Sequence, residues 1–248
     1  MKLLAVIIAF LFLLFSGGRP QSVVVPLTPP TEEPATETTA PLHSPLYLEG
    51  VVTEDVVQYF NEVCLAAEIV QGGDPSLLQR WEAPIRYCII GDPTPEDIAT
   101  LEAFCDWLNT LEGFPGIGAS GSEEDANLSI HFLGHEEYLA TMGSQFENTD
   151  GCVTFWYDND VIYEATIGIR TDLDQTLRNS VILEELYNGL GPIQDTDLRP
   201  DSIIYSGFSQ PQQLTAIDEL LLRLLYHPRM ECGMDLEACR QVIEELYY

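Results

Sequence analysis

The stretch EELYNGLGPIQD (184–195) holds the side chains whose types and spacing are most suggestive of chemistry. Glu184 and Glu185 are adjacent carboxylates, the residue type used for general acid–base work. On a helix, consecutive residues diverge by ~100°, so the two should not converge on one point. One is expected to face a cleft and the other to lie more peripherally. Glu184, Asn188 and Asp195 offer oxygen ligands of the kind that suits Ca2+ or Mg2+ rather than Zn2+. The plain alternative is a helix face carrying solvated acids.

Other constellations are weaker. His131 and His135 are four apart, which would suit metal on a helix, but Leu128–Phe132 reads as strand, where that spacing spans ~13 Å. His43 falls in a linker-like stretch, and His227 in a turn after a helix. No GxSxG occurs, and GASGSEE (118–124) lacks a Walker lysine, so serine-hydrolase and nucleotide-binding chemistry find no support.

The elements that would position these residues follow a leader. Lys2 and 13 apolar residues (3–15), then Ser16-Gly17-Gly18, have the layout of a secretory signal peptide over 1–18. Thirteen helical residues rise only ~20 Å, short of a ~30 Å hydrocarbon core, so no span is expected after cleavage; an uncleaved leader would act as a membrane tether. Residues 19–47 carry seven prolines and a TEEPATETTAP tract and read as a solvated linker. Residues 48–248 form the expected single domain.

The chain carries a net charge of −30, which argues against nucleic acid or an anionic membrane surface as partner. Residues 48–248 hold eight arginines, no lysine and 37 acids, which suit a solvated surface or a cation-binding face; no EF-hand-like loop pattern is present. Cys64, Cys88, Cys105, Cys152, Cys232 and Cys239 all lie in the exported part. An even count in an oxidising compartment predicts three disulfides, with Cys232–Cys239 the best local pair. No CxxC occurs, which speaks against a zinc knuckle.

Periodicity predicts a helix capped by Thr53 and running to about Ala67, a strand at 85–90, a helix from Thr94 to about Leu111, and a strand at 128–134. A short helix, strands at 152–158 and 162–170 joined at Asn159-Asp160, and a helix at 173–190 follow. Helices at 214–226 and at the C-terminus complete an α+β domain with a mixed sheet of about four strands and a helical second part. Val181, Ile182, Leu186 and Leu190 should pack the 173–190 helix on the sheet, helped by Leu221 and Leu225.

Aligned on Gly191, this helix resembles the HExxHxxGxxH helix of metzincin zinc proteases. Glu185 falls at the catalytic-glutamate position, and Glu184, Asn188 and Gln194 at the three zinc-ligand positions, where none is histidine. SIIYSGFSQPQQLTAIDELLLRLLY (202–226) resembles the segment of matrixin-like zincins that holds the Met-turn, with Ile204 at the methionine position. The order strand–helix–strand–strand–strand–helix is also zincin-like. The chain further resembles an uncharacterised family of exported bacterial proteins of unknown function through YFNEVCLAAEI, RWEAPIRYCIIGD, LEELYNGLG, SIIY and LLYHPRMECGM. The resemblance implies an exported, zincin-like domain that has lost its zinc ligands and binds an unknown extracytoplasmic ligand or protein without a cofactor. The alternative is a hydrolase that keeps Glu185 as base with an atypical metal or none.

Overall fold

The computed structural model describes residues 4–9, 44–65 and 77–248. Most of the leader, nearly all of the linker, His43, and the predicted end of the first helix at Ala67 lie outside the described residues.

The elements follow the predicted order closely. Helix α1 (Thr53–Phe60) runs into a π-helical turn (Asn61–Leu65). Its N-cap is Val52, with no side-chain cap, so Thr53 is the first helical residue rather than the cap. Strand β2 (Arg80–Trp81) and β3 (Ile85–Gly91) lead to α2 (Pro95–Leu108). Thr94 caps α2 in a reciprocal box: Asp97 N donates to Thr94 Oγ1 at 3.2 Å, and Thr94 N to Asp97 Oδ2 at 2.7 Å. Strand β4 (Ile117–Ala119), β5 (Leu128–Leu133), α3 (His135–Met142), β6 (Gly151–Asp158) and β7 (Val161–Arg170) follow. Asn159 and Asp160, both at positive φ (51° and 64°), make the tight β6–β7 hairpin turn. The remainder is helical: α4 (Gln175–Asn188), α5 (Ala216–Leu225) and α6 (Leu236–Tyr247).

With β1 (Leu4–Ala9), the strands form one seven-stranded mixed sheet in the order β1-β6-β7-β5-β3-β4, with β2 pairing the start of β7. Strands β3, β4, β5 and β7 run parallel, and β6 is antiparallel to β7. Six strands, β2 to β7, lie within residues 77–248, against the four expected. Strands β2 and β4 have two and three residues, too short to show alternation in sequence. Strand β1 (Leu4–Ala9) belongs to the apolar leader and pairs antiparallel with the outer edge of β6, so that removal of the leader would leave β6 as the edge.

Helices α2 and α4 cover one face of the sheet, where Val181, Ile182, Leu186, Leu190, Leu221 and Leu225 are all buried in the main core as expected. Helix α3 covers the other face, over a smaller cluster of Tyr138, Phe146 and Cys152. The expected disulfides are absent: Cys64, Cys88, Cys105, Cys152, Cys232 and Cys239 are all free thiols. Cys64, Cys105, Cys152 and Cys239 are buried and behave as small apolar core residues. The local pair separates because Cys239 is turned inward on α6, whereas the Cys232 thiol lies 3.7 Å from the Arg80 carbonyl. No helix of the described residues is long and apolar enough to cross a membrane.

Candidate functional site

Helix α4 is fixed at both ends. Asp174 caps its start by accepting from Leu177 N at 3.1 Å. One turn on, the buried Arg178 guanidinium donates through Nε to Asp97 Oδ1 at 2.8 Å and through Nη2 to Gln175 Oε1 at 2.6 Å, which ties α4 to α2. At the other end Trp81 Nε1 donates to the Gly189 carbonyl (2.8 Å) and Tyr226 OH to the Leu190 carbonyl (2.7 Å). Gly191 then turns the chain at φ 127°, where a β-carbon would lie 2.6 Å from the Gln79 carbonyl oxygen. Ile193 N donates to the Val63 carbonyl at 2.8 Å and anchors the segment that carries Gln194 and Asp195, both half-buried.

Between these anchors sit the two glutamates. Glu184 is 4% exposed, Glu185 2% and Asn188 1%, so neither the solvated-face reading nor the expected split between a cleft-facing and a peripheral glutamate holds. Tertiary packing buries both because α4 is covered from more than one side. Glu184 Oε1, Glu185 Oε2 and Asn188 Oδ1 are buried and have no hydrogen-bond partner among the described residues. Glu185 lies against the start of β6, where a β-carbon on Gly151 would come 2.8 Å from Glu185 Oε1.

Burial pushes both carboxyls well above their usual range. The negative field of Asp195 adds to this, and Asp150 raises both further; Glu184 also feels Glu185. Burial raises Asp150 itself, against the pull of Arg170, 3.4 Å away. The segment after Gly191 and the loop before β6 thus bring Asp195 and Asp150 into the electrostatic neighbourhood of the pair. Asp195 was expected here from sequence; Asp150 was not, and its only signal is an acid immediately before a strand.

The zinc-ligand positions Glu184, Asn188 and Gln194 supply one carboxyl and two amides, a donor set that does not fit tetrahedral zinc, which takes imidazole and thiolate. Among the described residues no three His, Cys, Asp or Glu side chains are grouped so as to hold a metal ion. Glu184, Asn188 and Asp195 supply hard oxygen donors at the end of α4. His131 lies on β5 and His135 begins α3, on separate elements as expected, and His227 follows α5.

Ile204, at the position aligned with the Met-turn, is fully buried, and its turn is held by a buried acid missed in the sequence. Asp218 on α5 accepts from Ser202 Oγ at 2.6 Å and from Ile203 N at 3.2 Å, while Tyr59 OH donates to Ser202 Oγ at 2.9 Å. Burial raises the Asp218 carboxyl even so.

No curated protein matches the chain. Within the described residues, the segments quoted from the sequence run from the packed face of α1 through β2 and β3 to the glutamate pair and the turn held by Asp218. One family profile spans all of them, that of the proteins of unknown function named DUF2927, matching residues 53–245, and the chain belongs to that family.

Proposed function

We propose that this is an exported, zincin-like domain that has lost zinc chemistry and serves as a non-catalytic binding or scaffold module outside the cytoplasm. The topology supports the zincin likeness. With the three-residue β4 and the short α3 set aside, the order β3–α2–β5–β6–β7–α4 follows the pattern named above, the antiparallel strand β6 lies beside α4, and Gly191 turns the chain after the helix. The leader and linker composition support export.

The observation that carries the loss of function is the burial of Glu184 and Glu185 together with the elevation of their carboxyls. A general base must reach water or substrate, and a carboxyl sealed in the interior does not. The second reading, a hydrolase that keeps Glu185 as its acid–base group, draws on the unpartnered Glu185 Oε2 and on the raised carboxyl that such chemistry uses. In that reading Ca2+ or Mg2+ would take the oxygens of Glu184, Asn188 and Asp195.

Elemental analysis of protein purified without chelator separates the two. The module carries no stoichiometric metal and does not cleave generic peptides. One equivalent of zinc, or turnover lost in Glu185→Gln, would overturn it. The triple change Glu184→His, Asn188→His, Gln194→His should create a zinc site if the zincin alignment is right.

A further inference from the structure

A cavity of about 550 Å3 opens between α2, α4 and the segment that enters α5, within the size range of small-molecule sites. Asn179 and Leu183, one turn apart, bring α4 to it; neither Glu184 nor Glu185 lines it, so the cavity is separate from the glutamate pair. Its apolar wall is Phe104, Trp107, Leu183 and Leu214; two carboxylates, Glu96 and Glu219, line it and no basic residue does, with Arg223 pairing Glu219 from the margin.

The amide groups tip the balance further toward acceptors. Asn179 Nδ2 donates to Glu96 Oε1 at 3.1 Å, and Gln212 Nε2 donates to the Thr176 carbonyl at 3.0 Å. These donors are spent within the protein, leaving carboxylate oxygens to meet a ligand. One cation already exploits the same chemistry at the margin. The Arg223 guanidinium sits 5.7 Å from the centroid of the Trp107 ring and 3.4 Å from Glu219, with its side chain 40% exposed.

We infer that this cavity binds a small organic cation, an ammonium or guanidinium group on an apolar body, with the body on Phe104, Trp107 and Leu214 and the charge toward Glu96 and Glu219. An anion is repelled by both carboxylates, and a neutral apolar ligand takes water from them without supplying a compensating charge. The inference does not depend on the fate of the zinc site.

Titration calorimetry on the full chain at low ionic strength tests it, with 2-phenylethylamine as the cation and 2-phenylethanol as its neutral counterpart. The amine is expected to bind one to one and the alcohol at least about tenfold more weakly. Glu96→Gln combined with Glu219→Gln should weaken the amine about tenfold, the combined effect of two partly exposed charge contacts. Glu136→Gln with Glu137→Gln, two exposed acids on α3, should leave affinity within about twofold. Equal affinity for amine and alcohol would overturn the inference. So would equal loss in the two variant pairs, or no amine binding at about 10 mM.

Discussion

Glu185 and Gly151 share one space: a β-carbon on Gly151 would lie 2.7 Å from Glu185 Cγ and 2.5 Å from Val181 Cγ1. The bare backbone at the start of β6 therefore lets α4 approach with its acid turned inward. Gly151→Ala must push α4 or the strand aside. It should destabilise the domain by about 1–3 kcal/mol, the usual cost of overfilling a packed interior. Urea unfolding followed by far-UV circular dichroism measures this, and an unchanged midpoint would show that the contact yields freely.

The glutamate pair sets an unusual pH dependence. Folded, both carboxyls stand well above the ordinary 4.5, so between that value and the raised one the native state holds more protons than the unfolded chain. Their contribution is fully present below the unfolded value and is lost as pH rises through the folded one. Asp150 and Asp218 are displaced in the same direction. The melting temperature should therefore be higher near pH 5 than near pH 8. Glu184→Gln with Glu185→Gln should raise it at pH 8 by about 2–4 °C or more, the shift that 1 kcal/mol makes in a domain of this size, and should flatten the profile. A double variant that melts lower at pH 8 would contradict the assignment.

Much of this architecture can be read from the chain because the relevant forces are local. The 3.6-residue spacing of α4 and α5, the alternation in β5, and the turn chemistry of Asn159-Asp160 act within a few residues of themselves. Burial of Glu184 and Glu185 is different: it depends on Gly151, Asp150 and the chain beyond Gly191, and no helical pattern distinguishes a buried acid from a solvated one. Asp218 is hidden for the same reason, because its partners Ser202 and Ile203 come from a loop. The cavity at Trp107 joins three elements distant in sequence and has no motif.

The cysteines give a direct chemical test. Burial pushes the Cys105 and Cys239 thiols up to about 12 and Cys232 up to about 11, so none is an activated thiolate. Alkylation in denaturant without reductant should modify all six positions, whereas brief treatment of native protein should reach only Cys88 and Cys232, which are partly exposed. Mass spectrometry counts the labels. Any pair protected in denaturant would be a disulfide that the structure lacks.

The Arg178–Asp97 pair makes the sharpest energetic prediction. Asp97 is fully buried and Arg178 nearly so, 2.8 Å apart. Burial alone would raise the Asp97 carboxyl, but hydrogen bonds from Arg178, Thr94 and Gln175 outweigh it and hold the group below its usual range. This contribution is present above the unfolded value of 3.8 and is lost as pH falls through the folded one, opposite in sign to the glutamate pair. Arg178→Met leaves a buried carboxylate facing only neutral donors and should cost about 3–5 kcal/mol, with Asp97→Asn costing a similar amount. The double variant removes both charges and should be less destabilised than the two single losses added together. A full thermodynamic cycle from chemical denaturation measures the coupling, and simple additivity would mean that Gln175 and the α2 cap, rather than the ion pair, hold α4 against α2.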